Sequence, residues 1–149
     1  MRRALVFVAF LILVLGGGLL IGWAARPDAW YAALAKPPFN PPNWVFAPVW
    51  SILYVMIAAA GARTFERGPA PDLGLWVAQL LLNFAWTPAF FGLHKPALAL
   101  VVIVALLALI VAFIVRRRHR DRASALMFVA YGAWVAFAAV LNLSIVVLN

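Results

Sequence analysis

Two side-chain amides interrupt an otherwise apolar stretch that runs from Trp76 to Gly92. If this stretch is a helix, Gln79, Asn83 and Trp86 occupy positions i, i+4 and i+7 and therefore share one face. Lipid offers no hydrogen-bond partner to an amide, so this face should turn inward. The pattern predicts either the polar rim of a ligand site or hydrogen bonds that join helices, and the residues alone leave both open.

Other residues that could carry chemistry are sparse. The four acidic residues are Asp28, Glu66, Asp72 and Asp121, and all of them, like both histidines, lie between apolar runs. The chain has no cysteine and no glycine-rich phosphate loop. No charged side chain lies deep in an apolar run, which argues against an ion-driven pump. The sequence therefore predicts no catalytic residue, no metal site and no resident cofactor.

The composition is that of a membrane protein. Of the 149 residues, 68% are hydrophobic and 11% are charged, whereas a soluble domain carries about 25% charged residues. The apolar runs have the length of about 20 residues that crosses the hydrocarbon core of a bilayer. We predict an all-α, integral membrane bundle of five transmembrane helices in one domain, residues 1–149. The predicted spans are residues 4–25, 44–62, 73–93, 97–115 and 123–148.

The only long connection is residues 26–43, which we call the lid. Its five prolines exclude a continuous helix. Asp28 is well placed to cap a short helix from Ala29 to Ala35. Two Pro-Pro pairs stiffen the rest of the segment, so we predict that it is ordered.

The basic residues are unevenly distributed between the two sides of the predicted bundle. Nine of them fall on the side of the N-terminus and three on the side of the lid. Because positive residues concentrate on the cytoplasmic side, this bias predicts a cytoplasmic N-terminus and an external C-terminus in a bacterial-type plasma membrane. The lipid bilayer then accounts for the positive charge, and no nucleic-acid partner is predicted. The nine are Arg2, Arg3, Arg63, Arg67, Arg116, Arg117, Arg118, Arg120 and Arg122; the three are Arg26, Lys36 and Lys95.

Seven tryptophans are the other unusual feature of the chain. We assign Trp23 and Trp76 to the belts of aromatic residues at the membrane surfaces. Trp50, Trp86 and Trp134 lie inside their spans. If they converge, their flat faces form a pocket on which a planar, apolar ring system stacks. The alternative is that these rings pack between helices.

Several ordered motifs resemble those of the TspO/MBR family, which comprises tryptophan-rich sensory proteins and the translocator proteins, or peripheral benzodiazepine receptors. The resemblance extends over nearly the whole chain. It is carried by Trp30-Tyr31 before Lys36-Pro37-Pro38, by Pro41-Pro42-Asn43-Trp44 and Pro48-Val49-Trp50, by Gln79-Leu80-x-x-Asn83-x-x-Trp86-Thr87-Pro88, and by Tyr131-x-x-Trp134.

The resemblance implies a homodimer that binds porphyrins such as protoporphyrin IX and haem as ligands. Some members of the family also bind sterols or benzodiazepine-type ligands. The end of the present chain, residues 143–149, lacks the aromatic and basic residues of the family's sterol motif. The implied ligand-binding residues are Trp30, Trp44, Trp50, Tyr54, Gln79, Asn83, Trp86, Phe90, Trp134, Ala138 and Leu141, and the implied dimer contact uses Gly74 and Ala78.

Three functions are compatible with these features. The first is a membrane receptor or sensor that binds porphyrins and related planar ligands and serves in the transport or disposal of tetrapyrroles. The second is an enzyme that degrades the bound porphyrin in light, for which the resemblance implies Trp50 and Trp134. The third is a membrane scaffold that binds no ligand.

Overall fold

A computed structural model describes all residues, 1–149, and contains helices and no strands. Five helices are long and apolar enough to cross a membrane. The all-α, five-span fold is therefore confirmed. The first span is Arg2–Ala24, the second Asn43–Arg67, the third Ala70–Gly92, the fourth Pro96–Arg117 and the fifth Arg122–Leu148.

The spans are longer than the apolar runs that predicted them. The second span continues to Arg67 and the third begins at Ala70, so the connection predicted over residues 63–72 is reduced to Gly68 and Pro69. A helix satisfies its backbone hydrogen bonds internally whether its side chains face lipid or water. Hydropathy therefore locates the part of a helix within the membrane, and the helix itself extends beyond it.

The spans pack as a ring in the order first, second, fifth, fourth, third. The fourth span packs extensively on the fifth and the third, and the second span packs on the first and the fifth. The centre of the bundle is aliphatic and aromatic, and the rings of Phe113 and Phe128 lie 4.1 Å apart between the fourth and fifth spans. A fully buried Tyr131 from the fifth span completes this core.

Trp76 corrects one of the assignments made above. Its side chain is 2% exposed, and its indole Nε1 donates a hydrogen bond of 2.9 Å to the carbonyl oxygen of Ile57 in the second span. The indole occupies the space beside Gly61, where an added Cβ would overlap it. Trp76 is therefore part of the core, whereas Trp23 is 66% exposed, as a residue of an aromatic belt would be.

The end of the third span has a wider helical turn. Residues Pro88–Gly92 form a π-helical turn, which Leu93 N–H closes by donating to the carbonyl oxygen of Pro88 at 2.8 Å. Proline lacks the N–H that a regular helix needs at this point, and π turns of this kind are common at functional sites. The turn places Phe90 and Phe91 next to the lid.

The lid contains a short helix, Ala29–Ala33, which ends two residues before the predicted limit. The predicted cap is present, since Asp28 Oδ1 accepts a hydrogen bond of 3.2 Å from Tyr31 N–H. At the other end of this helix, Lys36 Nζ donates to the carbonyl oxygens of Tyr31 and Leu34 at 2.6 and 3.2 Å. Both ends of the lid helix are therefore held by side chains of the lid itself.

Candidate functional site

A cavity of about 420 Å³ lies beneath the lid, between the adjoining parts of the first, second, third and fifth spans. Its volume is in the range of small-molecule sites, about 300–1,000 Å³. Nine of the 23 lining residues are aromatic, and apart from Trp23 of the first span they come from the second, third and fifth spans and the lid helix. The aromatic residues that face it are Trp23, Tyr31, Phe46, Trp50, Tyr54, Trp86, Phe90, Phe91 and Trp134.

The flat faces of these rings come from different helices. In the third span Trp86 stacks on Phe90, with ring centroids 5.3 Å apart and an interplanar angle of 26°. In the second span Trp50 lies 5.5 Å from Tyr54. The rings of Phe46 and Trp134 lie edge to face, with centroids 5.9 Å apart and an interplanar angle of 70°. Walls of this kind favour a planar, apolar ligand.

None of the 23 residues that line the cavity carries a charge. The polar side chains of the wall are amides and hydroxyls, namely Asn40, Asn43, Ser51, Thr87 and Asn142 in addition to two tyrosines. An isolated charge is expensive to bury in such surroundings. The cavity therefore suits the uncharged part of a ligand, which a few hydrogen bonds would orient.

One buried hydrogen-bond donor among the residues of this wall has no partner. Trp134 Nε1 is buried and makes no hydrogen bond, a condition that costs about 1–3 kcal/mol. In contrast, Trp86 Nε1 donates to Asn142 Oδ1 at 3.0 Å, and Asn142 Nδ2 donates to the carbonyl oxygen of Pro96 at 2.8 Å. The Trp134 ring lines the cavity, but its unpartnered nitrogen is itself buried and would meet an acceptor atom only if the side chain moved.

The structure brings seven of the eleven expected ligand-binding residues to the cavity wall. They are Trp50, Tyr54, Trp86, Phe90, Trp134, Ala138 and Leu141. The other four do not line this cavity, and their role in ligand binding stays a prediction. Trp44 is 75% exposed, Trp30 stacks on His94 and lies 5.9 Å from Phe90, and Gln79 and Asn83 are buried outside the wall.

Gln79 and Asn83 are engaged by Tyr131. The Tyr131 hydroxyl donates to Gln79 Oε1 at 2.9 Å and accepts from Asn83 Nδ2 at 2.6 Å. The Tyr54 hydroxyl, which reaches the cavity, donates to Asn83 Oδ1 at 3.4 Å. These bonds join the second, third and fifth spans, so the geometry supports the alternative in which the amides hold helices together.

The sequence reasoning missed several residues of the wall. Phe46 precedes Trp50 and Tyr54 by one and two turns of helix, and Asn142 follows Ala138 by one turn, so the helical period alone would have placed them there. Tyr31 is not among the expected ligand-binding residues, yet it is 7% exposed and lines the cavity from the lid. No pattern in the sequence distinguishes it from Trp30.

The opposite end of the bundle carries buried ion pairs. Asp72, fully buried, accepts from Arg116 Nε at 2.6 Å and from an Nη of Arg117 at 3.3 Å. Asp121 accepts from Arg63 at 2.7 Å and from the other Nη of Arg117 at 3.2 Å. Burial opposes the ionisation of Asp121, but the hydrogen bonds from Arg63 and Ser124 hold its pKa well below the usual value. We call these residues the ion-pair end.

The expected dimer contact lies on the outer surface of the third span. Gly74 is exposed, and a Cβ added to it would meet no atom within 4 Å. Ala78, one turn further along, is half-buried. The structure thus leaves this small-residue surface open, and a dimer contact there stays a prediction.

Comparison with known proteins gives a family match over residues 9–148, to the model described as the TspO/MBR family. The chain is 37% identical to a tryptophan-rich protein TspO of Chlorobaculum tepidum, with 93% of this chain and 95% of the relative covered. It is 40% identical to a protein CrtK of Rhodobacter capsulatus, with 83% and 80% covered. It is also 34% identical to a translocator protein of Bos taurus, with 91% and 85% covered.

Proposed function

The chain belongs to the TspO/MBR family of integral, multi-pass membrane proteins, and on this premise we propose that it is a membrane receptor for porphyrins. The ligand would occupy the cavity beneath the lid and serve as a signal or as a cargo for transport or disposal. The observation that carries this proposal is the uncharged cavity walled by indole and phenyl rings from three spans.

The chemistry of the wall fits a large planar ring. Trp50, Trp86 and Trp134 supply faces for stacking, and each aromatic contact contributes about 0.5–1.5 kcal/mol beyond the burial of its area. Since no cation lines the cavity, the carboxylate groups of protoporphyrin IX would lie outside it, toward the lid.

A metal-free porphyrin fits this wall better than haem. Haem iron in proteins is held by histidine, cysteine, methionine or tyrosine. Among the lining residues only Tyr31 and Tyr54 are of these types, and the Tyr54 hydroxyl is already bonded to Asn83. An iron ion in the ring would therefore gain no nitrogen or sulfur ligand, so we propose protoporphyrin IX as the preferred form.

A tryptophan-fluorescence titration with protoporphyrin IX tests the proposal. We expect saturable quenching in the wild type. In the double variant W50F/W134F the dissociation constant should be about tenfold larger, because two indole faces are replaced by smaller phenyl faces. W44F is the matched control, because Trp44 is exposed and does not line the cavity. A titration without saturation, or equal affinities for the wild type and the double variant, would contradict the proposal.

The scaffold alternative differs in its thermal behaviour. A ligand that binds only the folded protein stabilises it by an amount that rises with the logarithm of its concentration once this exceeds the dissociation constant. We therefore expect the melting temperature of the purified protein to rise with added protoporphyrin IX. A scaffold without a ligand site predicts an unchanged melting temperature.

Light-dependent degradation of the porphyrin is a second candidate function, favoured by the position of Trp50 and Trp134 on the same cavity wall. The test is illumination of the complex in the presence of oxygen, followed by mass spectrometry of the ligand. A ring-opened product that disappears in W50F/W134F supports the enzyme. Recovery of intact porphyrin supports a receptor without this activity.

We also propose that the protein is a homodimer that packs through Gly74 and Ala78, with its N-terminus in the cytoplasm. A leucine at position 74 should prevent the close approach of two helices. Within the monomer, a Cβ at this position would meet no atom within 4 Å. Light scattering of the detergent-solubilised variant G74L should therefore report a monomer with an unchanged helix content. A dimer that persists in G74L would place the interface elsewhere.

A further inference from the structure

The hairpin between the third and fourth spans contains an unusual residue, His94. Its φ of 54° makes it the only residue with a positive φ in the chain. Lys95 N–H donates to the carbonyl oxygen of Ala89 at 3.1 Å, which is the pattern of a helix C-terminus that usually ends with glycine. Residues other than glycine are disfavoured in this conformation, and the contacts of the imidazole favour keeping it here.

The imidazole of His94 contacts the lid in two ways. Its Nε2 lies 2.9 Å from Asp28 Oδ2, and its ring stacks on that of Trp30, with centroids 4.3 Å apart and an interplanar angle of 19°. The other oxygen of Asp28 caps the lid helix through Tyr31 N–H. The Tyr31 N–H, and then His94, hold the pKa of Asp28 below its usual value. One carboxylate thus connects the start of the lid helix to the hairpin.

This connection lies beside the cover of the cavity. Tyr31, three residues after Asp28, and Pro27, one residue before it, both line the cavity. Moving the lid helix away from the cavity therefore separates Asp28 and Trp30 from His94. The side chains of His94 and Asp28 are 39% and 47% exposed, so their attraction is weak enough to be broken reversibly.

We propose that Asp28 and His94 form a latch on the lid, which holds the cavity covered while His94 is protonated and weakens when His94 loses its proton. With a protonated imidazole the contact is an ion pair. With a neutral imidazole a hydrogen bond from Nε2 to the carboxylate persists, but the attraction between opposite charges is lost. The lid should therefore open more often as the pH rises.

The other charged groups near the latch do not share this dependence. They are Arg26 and Lys36 in the lid and Lys95 in the hairpin, and basic side chains of these types stay charged between about pH 5 and pH 8. Lys36 is bonded to carbonyl oxygens of the lid, and no charged residue of the spans lines the cavity. Imidazole is the group whose charge changes in this interval.

The absence of cysteine from the chain permits a direct test. Spin labels on A32C, in the lid helix, and L98C, in the fourth span, report the distance between the lid and the hairpin, and both positions are exposed. Between about pH 5.5 and pH 8 we expect the fraction of open lid to increase by about twofold to fivefold, the size of effect that an exposed ion pair supports.

Two variants remove the latch in different ways. H94Q is neutral at every pH, and D28N removes the carboxylate but keeps a residue that caps helices well. We expect both to have the larger open fraction at either pH and no pH response. H119Q is the matched control, because His119 lies in the turn at the other end of the bundle and should keep the wild-type response. A pH response that survives in H94Q or D28N, or that is absent from the wild type, would overturn the latch.

The effect on ligand access rests on the proposed function, whereas the motion of the lid does not. At about pH 5.5, the lower end of the interval tested with the spin labels, we expect protoporphyrin IX to dissociate from H94Q faster than from the wild type, by the same factor as the change in open fraction. Equal dissociation rates would overturn the role of the latch in ligand access. A complete lack of porphyrin binding would instead overturn the proposed function, and the spin labels would still decide the latch.

Discussion

The two ends of the bundle use polar groups in opposite ways. At the ion-pair end, carboxylates and guanidinium groups bond to each other around a buried centre: Asp72 and Arg117 are at most 2% exposed, whereas the side chains of Arg63 and Arg116 are 38% and 44% exposed. At the cavity end, the wall has no charge, Trp134 keeps an unpartnered N–H, and the contacts that hold the lid are partly exposed. Both ends belong to the same five spans and differ mainly in what their polar groups bond to.

This difference indicates that one end of the bundle mainly stabilises the fold, whereas the other end mainly forms the candidate ligand site. Buried ion pairs tie the second, third, fourth and fifth spans together at one end. With that end fixed, the other can keep half-buried rings, an open volume and a movable lid, which are the features a ligand site needs. Substitutions at the ion-pair end should therefore change stability, and substitutions at the cavity end should change binding.

The largest expected effect is that of D72N at the ion-pair end. The change removes the charge that faces Arg116 and Arg117, and it leaves the buried Arg117 without one of its two carboxylates. Breaking a buried pair in this way costs about 3–5 kcal/mol. We expect a large fall in the melting temperature of the detergent-solubilised protein, measured by circular dichroism, with an unchanged porphyrin affinity in the fraction that stays folded.

E66Q is the control for D72N, because it removes the same charge from a half-buried residue that makes no hydrogen bond or ion pair with a side chain. Its free energy of unfolding should change by no more than about 0.5 kcal/mol, as for ordinary surface substitutions. Its melting temperature should therefore stay close to that of the wild type. Equal losses in D72N and E66Q would mean that total charge, rather than the buried pairs, stabilises this end.

A smaller effect is expected from G61A. The added methyl group would overlap the indole of Trp76 and the ring of Phe10, and overpacking of this kind costs about 1–3 kcal/mol. G16A adds the same methyl group on the exposed side of the first span, where it meets nothing, and should be neutral or slightly stabilising in a helix. Comparable melting temperatures for the two variants would contradict the close packing of Trp76 on Gly61.

The aromatic wall was largely accessible from the sequence. Trp50 and Tyr54 are one turn apart in one span, and Trp134, Ala138 and Leu141 share a face of another. Apolar runs located the spans, the positions of Trp50, Trp86 and Trp134 within them pointed to a pocket, and the resemblance to the family supplied the other expected residues of the wall. The helical period is local information, and it suffices wherever a site is built from single faces of regular helices.

The remaining features depend on distances that the sequence does not contain. Arg63 and Asp121 are 58 positions apart, and only the ring order of the spans brings them together. Trp76 seemed to lie near the end of its span because the run of apolar residues starts later than the helix does. The amides at positions 79 and 83 were correctly expected to face inward, but a tyrosine from the fifth span reaches them before a ligand can.

The last prediction compares one tryptophan from each environment and concerns the smallest effects. Trp76 Nε1 donates to the carbonyl oxygen of Ile57, whereas Trp134 Nε1 has no partner in the protein. W76F therefore removes a hydrogen bond, a net loss of about 1 kcal/mol. W134F removes a donor whose burial is not compensated, so its loss of packing is partly offset and its melting temperature should lie closer to that of the wild type.

The same two variants should rank in the opposite order in ligand binding. W134F replaces an indole face of the cavity wall by a smaller phenyl face, so we expect weaker binding of protoporphyrin IX in a fluorescence or absorbance titration. W76F leaves the cavity wall intact, since Trp76 does not line it, and should bind as the wild type does. If W134F lost stability but kept its affinity, its indole would be serving the core, and the division between the two ends would not hold.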